Sequence, residues 1–152
     1  MRILVFSDSH GSKYCIREAL FAHPEAGMVI HLGDGERDFS GMEDLLEGKK
    51  LVQVCGNCDY ASMLPVNEII TAGGVKIFCT HGFAEHVKFG PQELYAKALA
   101  VNARIALYGH THNSVTEYVD GLYVMNPGSA RSGEYGAIDI TPSGIMLLKM
   151  KM

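Results

Sequence analysis

Five short apolar runs, each opening into a polar turn that carries Asp, Asn or His, constrain what this 152-residue chain can fold into. Ile3-Leu4-Val5-Phe6 opens into Ser7-Asp8-Ser9-His10, and Val29-Ile30-His31-Leu32 into Gly33-Asp34-Gly35. Leu51-Val52-Gln53-Val54-Cys55 opens into Gly56-Asn57-Cys58-Asp59. Ile77-Phe78-Cys79-Thr80 opens into His81-Gly82, and Ile105-Ala106-Leu107-Tyr108 into Gly109-His110-Thr111-His112. Runs this short and uniformly apolar are strands covered on both faces, the habit of parallel sheets.

The first half alternates strands (residues 2–6, 28–32 and 50–55) with helices (12–22 and 38–46). In the first helix Ile16, Ala19 and Leu20 share a face; Ser12 can cap its start and Pro24 follows its end. The second half is built from hairpins: 66–72 with 75–80 around Gly73-Gly74, 114–119 with 122–126 around Asp120-Gly121, and 135–140 with 144–150 around Thr141-Pro142-Ser143-Gly144. A helix at 91–101 and a buried strand at 104–108 interrupt this series. No repeat, linker or composition shift divides residues 1–152, so one domain is expected, with two packed mixed sheets and helices on their outer faces.

Composition bounds the partners. The formal charge of −4 supplies no field for nonspecific nucleic-acid binding. No apolar run approaches the roughly 20 residues of a membrane helix, and Met1-Arg2 leads directly into a strand, so a cytoplasmic location is expected. Cys15, Cys55, Cys58 and Cys79 fall in or beside core elements and read as reduced thiols. The Cys55-Gly56-Asn57-Cys58 pair lacks both a second pair for zinc and a well-signalled following helix for thioredoxin-type chemistry.

The donor types point to metal chemistry. Asp8 and His10, two residues apart at a strand end, can grip one ion, while Asp34 between two glycines has an uncovered carboxylate able to touch two cations. Asn57 adds an amide oxygen; His81, His110 and His112 add imidazoles. Two divalent ions (+4) and two carboxylates (−2) leave +2, which a hydroxide and a singly charged phosphodiester balance better than a hydroxide and a dianionic monoester. The remaining histidines carry other expectations. His31, inside a strand, reads as a core group or a hydrogen-bond partner of a ligand; His23, before Pro24, as exposed; His86, in a loop past His81, as a loop residue for which an approach to the substrate is the lesser alternative.

These blocks resemble, in order and spacing, the five signature blocks of the calcineurin-like metallophosphoesterases, and the short chain resembles their compact bacterial and archaeal phosphodiesterase subfamily from Met1 to about Arg131. The resemblance implies a four-layer α/β/β/α sandwich. It implies one metal held by Asp8, His10, Asp34 and His112, and a second by Asp34, Asn57, His81 and His110. Manganese is the implied ion, with nickel, iron and zinc as alternatives. The implied reaction is hydrolysis of a small phosphodiester by a hydroxide bridging the two ions.

Cys58 stands where many members carry a histidine that protonates the leaving group, and a thiol with its usual pKa of about 8.5 is a weaker acid partner. Asp34, Asn57, Cys58 and His81 are thus the candidate catalytic residues, with Asn57, Cys58, Ser129 and Arg131 as candidate substrate contacts. Asp59 is expected to orient its loop. For Ser129 and Arg131, in and beside Asn126-Pro127-Gly128-Ser129, a plain turn is an equal alternative. Relatives of this kind often form homo-oligomers. Two other readings stay open: a protein-interaction scaffold, as in a retromer subunit of this fold, and a phosphomonoesterase or nuclease.

Overall fold

The computed structural model describes residues 1–152, and strands form where the apolar runs lie. The first half gives β1 (Arg2–Phe6), α1 (Tyr14–Ala22), β2 (Met28–His31), α2 (Glu43–Leu46) and β3 (Lys50–Gln53). The second gives β4 (Asn67–Ala72), β5 (Val75–Thr80), α3 (Gln92–Ala100), β6 (Ile105–Leu107), β7 (Val115–Val119), β8 (Leu122–Asn126), β9 (Glu134–Thr141) and β10 (Gly144–Lys151). One sheet runs β10-β9-β1-β2-β3 and the other β4-β5-β6-β8-β7. The pairs β1–β2, β2–β3, β5–β6 and β6–β8 are parallel, and the three hairpins are antiparallel.

Three apolar clusters separate four layers. Alternate residues of both sheets (Ile3, Val5, Ile30 and Leu32 from one, Ile77, Cys79, Ile105 and Leu107 from the other) form the central core. The opposite faces of β1 and β2 pack Leu4, Phe6 and Val29 against Ile16, Ala19 and Leu20 of α1. The outer face of the second sheet packs Phe78, Ala106 and Val124 against Leu94 and Ala98 of α3. Each large aliphatic side chain so buried contributes about 1.5–3 kcal/mol before chain entropy is counted. No helix is long and apolar enough to cross a membrane.

Two local expectations need correction. The first helix begins at Tyr14, two residues late, and no side chain caps it. Ser12 is used in a tight turn instead, its N–H donating to the Ser9 carbonyl at 2.8 Å. The continuous helix expected at 38–46 is two pieces: a 3-10 turn at Glu36–Phe39 and the single-turn α2. Gly41, with φ of +84°, breaks them, because a left-handed residue cannot sit inside a right-handed helix.

Candidate metal centre

At the carboxyl ends of β1, β2, β3, β5 and β6 the chain turns abruptly, and the donors sit in those turns. Asp8, His10, Asp34, His110 and His112 have φ of 53°, 45°, 60°, 68° and 58°. Asp and His enter this left-handed region more readily than most residues, but it still costs about 1 kcal/mol or more each. Asp8 and His10 therefore converge through a turn; the alternation of an extended strand, which the spacing suggested, ends at Phe6.

Neighbouring backbone holds these turns. The Asp59 carboxylate accepts four N–H groups, from Asp34 (2.8 Å), Gly35 (3.0 Å), Glu36 (3.1 Å) and Gly56 (2.8 Å), and so ties the loop after β3 to the loop after β2. The two loops meet so closely that a Cβ on Gly56 would come within 2.1 Å of Asp34 Oδ1. The buried Asn126 amide donates to the Gly109 carbonyl (3.0 Å) and to Thr111 Oγ1 (3.0 Å), bracing the turn that carries His110 and His112. Asp8 Oδ2 accepts from Ser7 Oγ (2.5 Å) and the His110 N–H (2.9 Å), which leaves Oδ1 for the site.

The seven donors expected from the sequence converge in one cluster. Asp8 Oδ1 lies 3.1 Å from His112 Nε2, 3.7 Å from His10 Nε2 and 3.9 Å from His81 Nε2. Asp34 Oδ2 lies 3.3 Å from His81 Nε2 and 3.8 Å from His10 Nε2. Asn57 Oδ1 lies 3.0 Å from His81 Nε2, and the His81 and His110 rings are 5.0 Å apart. The groups Asp8-His10-His112 and Asp34-His81-His110 each bring three ligand atoms within 4.8 Å of one another; Asp34, with His10, also neighbours Cys58 Sγ. Asp8, Asp34 and His81 form a buried floor, and Asn57 and His112 an exposed rim.

The atoms facing each other there fit a cation. His81 Nδ1 donates to the Leu32 carbonyl at 2.7 Å, so in the neutral ring Nε2 carries a lone pair. Nε2 faces Asn57 Oδ1 and Asp34 Oδ2, so a neutral ring opposes its lone pair to two acceptors and a protonated one donates to them. Acceptors aimed at one another repel unless a proton or a metal ion lies between them, and a mixed oxygen and imidazole set suits a divalent transition metal.

Titration follows the same geometry. Burial alone would push the Asp34 carboxyl up, but hydrogen bonds from His81 and Cys58 hold it well below the usual carboxylate range. Burial pulls the His81 imidazole down, and Asp34 and Asp8 more than reverse this, leaving it raised. His110 is lowered by burial and by the charges of His81 and Lys88. Burial and the neighbouring Asp34 charge raise the Cys58 thiol, so it stays protonated near neutral pH.

Other expected residues lie nearby in different roles. Ser129 does not face the cluster: it is 2% exposed and its Oγ donates to the Asp8 carbonyl at 2.8 Å, so the turn reading describes it and the phosphate contact does not. Arg131 is exposed, with its backbone N–H 3.4 Å from the same carbonyl. His31 is buried; its Nε2 pairs with Ser9 Oγ at 2.9 Å and its Nδ1 accepts from the Gly33 N–H at 3.2 Å. His23, expected to be exposed, is partly covered because the Tyr135 hydroxyl (3.2 Å) and Glu25 (3.3 Å) pack around it. All four cysteines are free thiols. The bracing role of Asn126 and the loop residues Phe83, Lys88 and Phe89 were not recognised in the sequence. An Asn ending a strand just before Pro-Gly was the available signal for the first; the second had none.

The calcineurin-like phosphoesterase superfamily domain model matches residues 1–147. Probable metallophosphoesterase YsnB of Bacillus subtilis (strain 168) is 33% identical over 132 residues, 86% of this chain and 76% of that protein. Phosphodiesterase YfcE of Escherichia coli (strain K12) is 30% identical over 169 aligned positions, covering 91% of this chain and 88% of that one. The crystal structure of wild-type Vps29 from Entamoeba histolytica, complexed with zinc, superposes with a TM-score of 0.74 at 21% identity, over 99% of each chain.

Proposed function

The chain belongs to the calcineurin-like phosphoesterase superfamily, and from that premise we propose that it hydrolyses a small phosphodiester at a pair of divalent metal ions, manganese first among them. One observation carries this reading: seven oxygen and imidazole donors from five strand ends converge, with His81 Nε2 3.0 Å from Asn57 Oδ1 and 3.3 Å from Asp34 Oδ2. Asp8, His10, Asp34 and His112 would hold one ion, and Asp34, Asn57, His81 and His110 the other. Such ions, when bound, acidify water and neutralise the charge that builds on the phosphoryl oxygens.

The chain's own residues do the rest. Asp59 and Asn126 hold the donor turns against strain, so little reorganisation is left for the reaction. The Leu32 carbonyl fixes the His81 ring, keeping Nε2 turned inward. Cys58, at the rim and protonated, is a poor proton donor to an alkoxide, which favours esters with good leaving groups. Two concavities flank the donors, about 320 Å³ beside His10, Asp34 and Cys58 and about 340 Å³ beside Asn57 and His110. A diester has two arms to place in them, and a monoester has one. The name of YfcE supports the same preference.

The test is hydrolysis of bis(p-nitrophenyl) phosphate and p-nitrophenyl phosphate by protein whose bound manganese has been counted by elemental analysis. Preference for the diester is expected; inactivity towards both, with metal bound, would refute the reading. The likeness to Vps29 motivates the alternative of an interaction scaffold, which predicts that stoichiometric metal binds without hydrolysis of any ester.

A further inference from the structure

The two concavities beside the donors differ in chemistry. The one next to His10, Asp34 and Cys58 is lined by Glu36, Arg37, Asp38, Asp59 and Tyr60. The one next to Asn57 and His110 is lined by Phe83, His86, Lys88 and Phe89. Phe83 is 58% and Phe89 91% exposed, although both are large apolar rings at the mouth of a polar centre. Single exposed apolar residues are ordinary; two rings lining the same hollow as a donor pair are a ligand surface.

The loop presenting these rings is held in place. Thr80 Oγ1 donates to the buried Glu85 carboxylate at 2.6 Å, and Val87 is buried against the α3 side of the second sheet. Backbone hydrogen bonds from His86 to Phe83, Val87 to Gly82 and Phe89 to His86 close successive turns. His86 sits at φ +52°, with its Nδ1 on Glu93. The rings are therefore displayed by a rigid support, which reduces the entropy lost when a ligand settles on them. Phe83 meets the His110 ring edge to face at 5.6 Å, which makes the hollow continuous with the donors. The Lys88 ammonium has no acidic partner within ion-pair distance and lies in the same lining.

We propose that this hollow is the subsite for an aromatic ester arm of the substrate, an aryl group or a nucleobase-bearing one, with Phe83 and Phe89 as its stacking surfaces and Lys88 as a contact for the phosphate anion. This rests on the diesterase reading above. Ring stacking of this kind is worth roughly five- to a hundredfold in affinity per ring. The charged flank beside Arg37 and Asp38 receives the other, polar arm.

The experiment uses methyl phenylphosphonate and methyl methylphosphonate, monoanions that mimic a diester and differ only in the ring. Calorimetric titration of manganese-loaded protein should show the phenyl compound binding about tenfold more tightly than the methyl one. Phe89→Ala should lower that ratio several-fold, with Phe83 left to supply the remainder and bound manganese unchanged. Lys88→Gln should weaken both compounds alike, by several-fold. If bis(p-nitrophenyl) phosphate is hydrolysed while the two phosphonates bind equally, or while Phe89→Ala leaves their ratio intact, the subsite is wrong and the diesterase reading stands. If the metal-loaded protein hydrolyses no diester, the diesterase reading falls and takes the subsite with it.

Discussion

The two ends of the sandwich put different residues into left-handed backbone. Within the three hairpin turns, Gly73, Gly74, Gly121 and Gly144 take positive φ, with Asp120 the one non-glycine; glycine enters that region at little cost. At the other end glycines such as Gly11, Gly33 and Gly82 take it too, but so do five donors, Asp8, His10, Asp34, His110 and His112. Glycine would relieve the strain there, but it has no donor to offer. The difference teaches that the site end is built for where its side chains point, with stability supplied by Asp59, Asn126 and Ser129 from behind.

The sharpest way to break this comparison is to remove the shared carboxylate. Asp34→Ala should lower diester turnover by about 10³-fold or more and cut bound manganese in elemental analysis. Circular dichroism should keep its strand signature, although the Cys58 N–H loses its acceptor at Asp34 Oδ1. Next, Gly56→Ala places a methyl group 2.1 Å from Asp34 Oδ1 and should cost about 10²-fold in kcat/KM, read with the same substrate. Asp59→Ala leaves four N–H groups without their acceptor; metal affinity should fall roughly 10–100-fold by competitive chelation, with partial recovery in Asp59→Asn.

Stability should respond to two smaller changes. Burial lowers the His31 pKa from 6.5 to about 4. The unfolded chain then binds more protons between those values, so stability present above pH 6.5 is lost as pH falls towards 4, by about 3 kcal/mol at 1.4 kcal/mol per unit. Urea midpoints at pH 7 and pH 5 measure it, and the pH slope should flatten in His31→Asn. At the hairpin end, Gly74→Ala meets no neighbour within 4 Å, yet its φ of +77° should cost about 1 kcal/mol in thermal unfolding while kcat/KM stays at the wild-type value.

Much of this was legible from residues alone. Apolar runs of four or five residues gave strands in the expected places, and Asp120-Gly121 and Gly73-Gly74 gave their hairpins. The helix at 38–46 failed because one glycine outweighed a weak apolar period. His23 was judged by its neighbour Pro24, although its cover comes from Tyr135, far along the chain. For Ser129 the resemblance leaves a phosphate contact and a turn equally open, and only its hydrogen bond to the Asp8 carbonyl shows how the hydroxyl is used.

What the sequence determined by itself was the strands, the turns that end them and the donor types those turns carry, because periodicity and turn chemistry act within a few residues. What tertiary structure decided was company: that Asp59 reaches three N–H groups after β2, that His81 turns Nε2 on Asn57 and Asp34, and that Phe83 and Phe89 flank the same hollow as His110. Those contacts depend on the order of strands in two sheets and on how closely the sheets pack, and no local pattern carries that information.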